Sequence, residues 1–405
     1  MKSFIIHNKH ISTVCELDVK ELLNKKATCE SGVCIIDDVS FEDIATLTYR
    51  AQSAHKVGVL LTNFDLPKDF NEETLGTLAK KEIKKISKEE LELLFKGTES
   101  FSMTTQNETD SIFIDSVGVS GLLGGLFNEE LKSRNIEVKV NLKRPDIILF
   151  TYVNENRCYI GVDLTGVDLL RRPYKIITKS SSINGPFAYT LARLAGVQKD
   201  SIVLDPFCGS GTIPIETAIY QEDYSPFMFE NKFSGLRLQS SKPSFEKVLK
   251  ELKESIAKRE KKKSVTGFDH ILRIVTSAKQ NAKIANVNES IHFSKVDIEW
   301  IDSKFDEGEV DVIITNPPKE SKKLNNAKEI RKVYDELFYQ GRFVLKDEGI
   351  LGILTNKTEL LKELAIRHGF TPKDEILMQS GGQPYFFVSF IPPSRDHNEE
   401  DEDEN

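Results

Sequence analysis

Apolar runs and amphipathic stretches alternate through the second half of the chain. Runs with the length and content of buried strands occur at 201–204, 264–269, 291–296, 311–315 and 349–355. Stretches with helical periodicity separate the later runs, at 272–285, 329–344 and 359–367. Two further strand-like segments, 375–379 and 385–391, end the pattern. This order predicts an α/β fold, a doubly wound sheet of parallel strands with an antiparallel strand at its edge.

The first half of the chain has a different pattern. The pattern of residues 1–66 indicates the order strand, helix, strand, helix, strand. This order predicts a small α+β domain. Residues 67–170 add an amphipathic helix over 82–95, a strand at 100–105, a glycine-opened helix over 128–133 and paired strands at 146–153 and 158–164. We therefore predict domains over 1–66, 67–170 and 186–395, a basic linker over 171–185 and a disordered tail over 396–405.

Composition limits the possible classes of protein. A chain of 405 residues with 39% hydrophobic residues supports two or three folded domains. There is no apolar run long enough to cross a membrane, and the start turns polar too early for a signal peptide. The five cysteines are scattered, and no histidine-cysteine cluster accompanies Cys29 and Cys34. We expect reduced thiols in a cytosolic protein and no metal site.

The net charge of −8 comes almost entirely from the end of the chain. Residues 396–405 carry seven carboxylates, and removing them from the net charge leaves −1. The sign reverses between Lys132 and Ser180, where ten Lys and Arg face five Asp and Glu. A basic stretch that includes the linker can hold a phosphate backbone without reading its sequence.

A glycine-rich turn follows the first strand of the second half. Its residues are Asp205, Pro206, Phe207, Cys208, Gly209, Ser210, Gly211 and Thr212. Glycines at the carboxyl end of a parallel strand allow close approach of a ligand and positive φ. Because Asp205 would oppose a pyrophosphate, we expect a ligand that carries positive charge.

Polar residues also follow the next strands. Asp269, with His270 beside it, ends the second strand, where a carboxylate can accept hydrogen bonds from a ribose diol. Asp297 follows the third strand and can accept a hydrogen bond from an adenine amino group. Since the carboxyl ends of parallel strands share one edge of a sheet, these residues predict a nucleoside-binding cleft.

Asn316, Pro317 and Pro318 end the fourth strand. The prolines remove backbone donors, so the Asn316 side-chain oxygen and the Pro317 carbonyl are left to accept hydrogen bonds from one exocyclic amine. Such an amine is held with its lone pair toward an electrophile, and no strong base is required. A nucleobase must leave its stack to reach this position.

These motifs carry a family resemblance. Residues 205–212 resemble motif I of RNA methyltransferases that use S-adenosylmethionine. Most of residues 1–170 resembles a ferredoxin-like domain over 1–66 followed by a THUMP RNA-binding domain over 67–170, with clearer motifs after Glu129. Together with Asn316-Pro317-Pro318, they resemble the THUMP-containing tRNA guanine-N2 methyltransferases. The resemblance implies a Rossmann-like catalytic domain, S-adenosylmethionine as cofactor, tRNA as substrate and a cytoplasmic location. It also allows for a small activating protein subunit as a partner. It implies RNA contacts by the basic residues Lys139, Lys143, Arg144, Arg171, Arg172, Lys175 and Lys319.

One position departs from the family pattern. An aromatic residue that stacks on the flipped base usually follows Asn-Pro-Pro, and here the residue is Lys319. Either another aromatic, such as Tyr385 or Phe386, supplies the platform, or the substrate differs, or activity is weak. The alternatives are a methyltransferase that acts on adenine N6 or protein glutamine, and a non-catalytic RNA-binding protein that keeps the fold.

Overall fold

The computed structural model describes residues 1–9, 11–109, 115–154, 156–178, 182–256, 261, 263–318, 327–380 and 383–395. The strands are β1 (Lys2–Ile6), β2 (Thr28–Glu30), β3 (Val33–Ile36), β4 (Lys56–Asp65), β5 (Ser100–Asn107), β6 (Lys139–Val140), β7 (Ile147–Val153), β8 (Arg157–Asp163), β9 (Val203–Asp205), β10 (Val265–Asp269), β11 (Ile291–Lys295), β12 (Val310–Thr315), β13 (Leu345–Thr355), β14 (Thr371–Ser380) and β15 (Gln383–Ile391). The helices are α1 (Ser12–Leu23), α2 (Phe41–Arg50), α3 (Glu72–Ile83), α4 (Lys88–Phe95), α5 (Ser116–Ser133), α6 (Gly185–Leu194), α7 (Thr212–Gln221), α8 (Lys242–Ile256), α9 (Leu272–Ile284), α10 (Ala327–Val344) and α11 (Thr358–Arg367).

The described residues divide into two compact units. Unit 1 takes its residues from 1–172 and 224–259, and unit 2 from 173–223 and 260–405. The second unit is therefore discontinuous in sequence, unlike the continuous range of 186–395 that the sequence suggested. No described helix combines the length and apolar content that a membrane span requires.

Unit 1 is built on one mixed sheet. Its order is β2-β3-β1-β4-β8-β7-β5-β6, with β5 parallel to both β6 and β7 and the other neighbours antiparallel. Phe4 and Phe150 stack at 5.7 Å on one face of this sheet. Strands from both predicted N-terminal domains thus join one sheet, and the boundary between residues 66 and 67 stays a prediction.

Helix α8 explains why unit 1 includes a segment from the second half of the chain. Its Phe245 ring is buried beside Tyr49 of α2, with ring centres 6.1 Å apart. Lys247 of α8 pairs with Glu42 of α2 at 2.5 Å. The Ser225 hydroxyl donates to the Tyr49 carbonyl at 2.6 Å. These contacts join the lysine-rich insertion to the first unit.

Two helices of unit 1 differ from their predicted extents. The single helix expected over 82–95 is wrong: α3 ends at Ile83, and α4 begins after Ser87, whose side chain accepts from the Glu90 amide. The Ser87 hydroxyl caps the start of a second helix. The amphipathic periodicity continues across this break, so periodicity alone predicts one helix. Helix α5 begins at Ser116, well before the predicted 128–133, because Asp115 caps it and its four glycines are tolerated inside the helix.

Unit 2 confirms the predicted doubly wound sheet. Its order is β11-β10-β9-β12-β13-β15-β14, with the first five strands parallel and β15 antiparallel to both neighbours. The chain runs outward from β9 to β11 and then crosses back to β12 on the other side of β9. The carboxyl end of β9 is thus the topological switch point, where open α/β sheets bind ligands.

Candidate cofactor and acceptor site

The glycine-rich turn opens directly from β9 at this switch point. Gly209 and Gly211 have φ of 55° and 85°, which favours glycine over other residues. A Cβ at Gly209 would meet no atom within 4 Å, whereas one at Gly211 would lie 3.0 Å from the Ala278 Cβ. Gly209 therefore borders open space, and Gly211 allows the turn to pack against α9.

Two hydrogen-bonded contacts fix the turn to its neighbours. The Cys208 amide donates to the Phe268 carbonyl of β10 at 2.8 Å. Below the turn, the buried Asn281 amide group donates to the carbonyls of Ser210 and Ile177 at 3.0 and 2.9 Å, and its oxygen accepts from the Ile177 amide at 3.2 Å. The turn is held in shape without the help of a ligand.

An open cleft lies against the turn. Seven of the predicted residues line it, namely Asp205, Phe207, Cys208, Gly209, Ser210, Thr212 and Asn316, together with Ser182, Ile183 and Ile213. The hydroxyls of Ser182 and Ser210 lie 3.0 Å apart at its wall. Pro206 and Gly211 support the turn without lining the cleft. The structure thus brings the first and fourth strand ends together.

Asp205 is buried at the floor of this cleft, with 2% of its surface exposed. Its Oδ1 accepts from the Thr315 hydroxyl at 2.7 Å and from the Phe207 amide at 3.1 Å. Burial raises the pKa of Asp205 to about 7, against the effect of these two hydrogen bonds. A cationic ligand group would stabilise the ionised carboxylate, as the sequence suggested.

Asn316 follows Thr315 at the end of β12. Its Oδ1 is buried and accepts no hydrogen bond from the part of the chain that the structure describes. Buried acceptors without partners are rare in folded proteins, and they point to a functional role. Pro317 is buried and Pro318 is exposed. Lys319, the departure from the family pattern, lies outside the described residues.

The carboxylates of the second and third strands occupy different surroundings. Asp269 is 6% exposed, its Oδ1 accepts from the Ile271 amide at 2.9 Å, and it adds to the raised pKa of Asp205. His270 is largely exposed, with Nδ1 3.6 Å from the Asp269 carboxylate. Asp297 is exposed, and its carbonyl accepts from the Trp300 amide at 3.0 Å. Asp269 therefore lies close enough to Asp205 for their charges to interact, while Asp297 begins a surface turn. Asp269, His270 and Asp297 do not line the cleft.

The two aromatic candidates for base stacking lie at the same edge of the sheet. Phe386 pairs with Thr355 at the carboxyl end of β13, and β13 pairs with β12 through Ile353 and Thr315. The Phe386 ring packs against the hydrophobic core of unit 2, so it is not available to stack on a base. Tyr385, one residue earlier, is half-buried and is the better candidate of the two.

The basic residues proposed for RNA binding fall into three groups. Lys139, Lys143 and Arg144 are exposed on β6 and the loop that follows it in unit 1. Arg171 is exposed as well. Lys175 of unit 2 is half-buried and donates to the Ile183 carbonyl.

Arg172 does not fit the predicted role. It is 3% exposed, and its guanidinium donates to the carbonyls of Leu169 and Gln52 at 2.9 and 2.7 Å. The same group lies 5.1 Å from the centre of the Phe227 ring. A guanidinium with these partners holds unit 1 together and presents no surface to a phosphate.

Sequence reasoning missed Ser182, Ile183, Ile213 and Asn281. Of these, only Asn281 had a signal. It occupies the apolar face of α9 together with Ile274, Val275 and Ala278, and a polar residue on such a face needs a partner when buried.

The expectation of five reduced thiols is wrong for one pair. Cys29 and Cys34 form a disulfide across the β2–β3 hairpin, because the hairpin register places them opposite each other. Cys15, Cys158 and Cys208 are buried and form no disulfide in the described part of the chain.

Comparison with known proteins identifies related sequences and folds. The model of the family described as UPF0020, RMKL-like, methyltransferase domain, matches residues 172–384. A tRNA (guanine(6)-N2)-methyltransferase of Methanocaldococcus jannaschii is 31% identical over 253 residues, which cover 62% of this chain and 65% of that relative. The match thus leaves about a third of the relative's length outside it.

Two solved structures resemble the whole chain in fold. A possible methylase from Clostridium difficile 630 has a TM-score of 0.78 at 22% identity, over 98% of this chain and 99% of its own. SMU.472, a putative methyltransferase solved with SAH, has a TM-score of 0.75 at 17% identity, over 97% and 98%. The fold of this chain therefore recurs in known structures.

Proposed function

The chain belongs to the RMKL-like methyltransferase family (UPF0020), and from this premise we propose that it methylates the exocyclic N2 amine of a guanosine in tRNA. S-adenosylmethionine is the cofactor, and when bound it supplies the electrophilic methyl group. The observation that supports the choice of an amine acceptor is the buried Asn316 Oδ1, which has no hydrogen-bond partner among the described residues, on a residue that lines the motif I cleft.

The residues of the cleft fit this cofactor. The ionised Asp205 carboxylate suits the cationic amino-acid end, and the space beside Gly209 admits a ligand against the backbone. Asp269 offers a carboxylate to the ribose hydroxyls of the cofactor. Asp297 keeps its proposed role at the adenine amino group and His270 its proposed contact with the cofactor, and both side chains are exposed.

Asn316 positions the acceptor amine. Its Oδ1 accepts one N–H of the amine, and the Pro317 carbonyl accepts the other, which turns the nitrogen lone pair toward the methyl group. Thr315 links this residue to the cofactor side, since its hydroxyl is bound to Asp205. The nitrogen loses its proton after it has gained the methyl group, so the site needs no strong base.

Unit 1 supplies the tRNA-binding surface in this proposal, as a THUMP-type module. Lys139, Lys143 and Arg144 are exposed together. The Asn141 side chain accepts from the amides of Lys143 and Arg144 at 3.1 Å each, which gives the loop a defined shape. Arg171 and Lys319 stay proposed RNA contacts, and the archaeal relative's name supports tRNA as the substrate. We place the reaction in the cytoplasm, and a small activating subunit remains part of the proposal.

A transfer assay tests the proposal. The full chain is incubated with labelled S-adenosylmethionine and an unmodified tRNA transcript, and the product nucleosides are separated. We expect N2-methylguanosine, its loss in Asn316→Ala, and its retention in Asn288→Ala, a control at an exposed asparagine. Label on adenine would favour an adenine N6 methyltransferase. Cofactor binding by calorimetry without turnover on any tRNA would favour a non-catalytic RNA-binding protein.

A further inference from the structure

A histidine approaches the two cysteines of the β2–β3 hairpin in unit 1. His7 follows β1, and the antiparallel register that pairs Ile6 with Val33 brings it beside Cys34. The ligand atoms of His7, Cys29 and Cys34 all lie within 4.8 Å of one another. Sequence reasoning found no such cluster because His7 is 22 residues from Cys29 and only strand pairing brings them together.

The Nε2 nitrogen of His7 can accept a ligand. The His7 Nδ1 donates to the Asn8 carbonyl at 2.9 Å, which leaves Nε2 as the acceptor nitrogen. The residue is only 4% exposed, and Nε2 is buried with no hydrogen-bond partner in the described chain. The Nε2 lone pair is therefore available to a ligand.

We propose that, once the Cys29–Cys34 disulfide is reduced, Cys29 Sγ, Cys34 Sγ and His7 Nε2 bind one thiophilic divalent cation of the Zn²⁺ class. Two thiolates and an imidazole are the ligands that such cations prefer. The four residues between the cysteines fall within the spacing common in zinc sites. A hydrogen bond from the second ring nitrogen to a backbone carbonyl is also typical of a metal-binding histidine.

The chemistry balances with a phosphine reductant. The phosphine supplies two electrons and takes the oxygen of one water molecule to become the phosphine oxide, and the two hydrogens of that water complete the conversion of the disulfide to two thiols. Binding of the cation then releases those two protons, and two thiolates neutralise its two positive charges. A neutral assembly is suited to a site in which His7 and Cys34 are buried. A water molecule completes the coordination beside Cys29, which is the more exposed cysteine.

The surrounding backbone holds the three ligands in place. The His7 amide donates to the Gly32 carbonyl at 2.9 Å, and the Tyr152 hydroxyl donates to the Ser31 carbonyl at 3.2 Å. Ser31 and Gly32 both have positive φ, as a two-residue hairpin turn requires. The hairpin is therefore fixed to β1 and β7, and the cation would join β1, β2 and β3.

Metal binding by the full chain tests this site directly. The protein is reduced with a phosphine, freed of metal by a chelator and titrated with Co²⁺ alone, whose thiolate bonds give an intense charge-transfer absorption. We expect one Co²⁺ per chain in the reduced protein, its displacement by Zn²⁺, and no binding by the oxidised protein. A reduced protein that binds no Co²⁺, or binds it without the thiolate absorption, would overturn the proposal.

Matched variants locate the ligands. Cys29→Ser and His7→Ala should each weaken Co²⁺ binding by more than about 100-fold, since loss of a mere partner of a ligand costs about 10–100-fold. Cys158→Ala removes another buried thiol of unit 1 and should leave binding unchanged. Unchanged binding in Cys29→Ser would contradict the assignment. The comparison of oxidised and reduced wild-type protein decides the matter even where a variant fails to fold.

Discussion

Two asparagines of the methyltransferase domain differ in how their amides are satisfied, and this difference predicts opposite effects of the same substitution. Asn281 is 1% exposed and makes three hydrogen bonds. At about 0.5–1.5 kcal/mol for each bond, Asn281→Ala should lower the free energy of unfolding by about 1.5–4.5 kcal/mol. Asn316 has a buried oxygen that lacks a partner among the described residues. Because such an atom costs about 1–3 kcal/mol, Asn316→Ala should be neutral or slightly stabilising.

Asn316→Ala should lower methyl-transfer activity even though it should not lower stability. Loss of a preorganised group aimed at the reacting atoms lowers kcat by about 10²–10³-fold, and we expect Asn316→Ala to lose that much methyl transfer. Its affinity for S-adenosylmethionine should stay near that of the wild type. Urea unfolding measures stability, calorimetry measures cofactor affinity and single-turnover transfer measures the chemical step. If Asn316→Ala unfolds as easily as Asn281→Ala, or transfers methyl at the wild-type rate, Asn316 is a structural residue and the reasoning fails.

Three further predictions follow from the cleft and the basic surface. Folding favours the protonated Asp205 carboxyl, because its pKa is higher in the folded chain than in the unfolded chain. Its contribution to stability is therefore complete below the ordinary pKa near 3.8 and is lost as pH rises through about 7, which thermal unfolding of the free protein should show. Cofactor affinity should rise between pH 6 and 8, as the carboxylate ionises. A pH-independent affinity would contradict this role. Gly209→Ala and Gly211→Ala both place a Cβ at positive φ and should lower the unfolding midpoint. Gly211→Ala should lower it more, because its Cβ also lies 3.0 Å from the Ala278 Cβ, whereas Gly209→Ala should in addition weaken cofactor binding, because its Cβ enters open space at the cleft. Equal effects of both on stability would count against this difference. Lys143→Ala should weaken tRNA binding and reduce the slope of log affinity against log salt concentration by about 1. Arg172→Ala should lower the free energy of unfolding and leave that slope unchanged in protein that remains folded.

The fold of unit 2 could be predicted from local pattern because each strand and helix has its own signal. Motif I and Asn316 were found for the same reason: each is a short segment at a strand end, and parallel strands bring their carboxyl ends to one edge. Asn281 and Ser182 join the site through tertiary contacts, which no local spacing records.

Three other features needed the folded chain. Arg172 lies in a basic run that suggests a surface, yet its carbonyl partners and the Phe227 ring bury it. The amphipathic pattern of α8 indicates a helix but cannot say which unit its apolar face covers, and Phe245 places it on α2. His7 meets Cys29 and Cys34 only through the pairing of β1 with β3.

Nucleoside mass spectrometry of tRNA tests the central claim most directly. Purified tRNA from cells that lack this protein is compared with tRNA from the same cells after they regain the wild-type chain or Asn316→Ala. We predict that N2-methylguanosine at one tRNA position is absent without the protein, returns with the wild-type chain and does not return with Asn316→Ala. An unchanged N2-methylguanosine content in tRNA from the cells that lack the protein would contradict the proposed function.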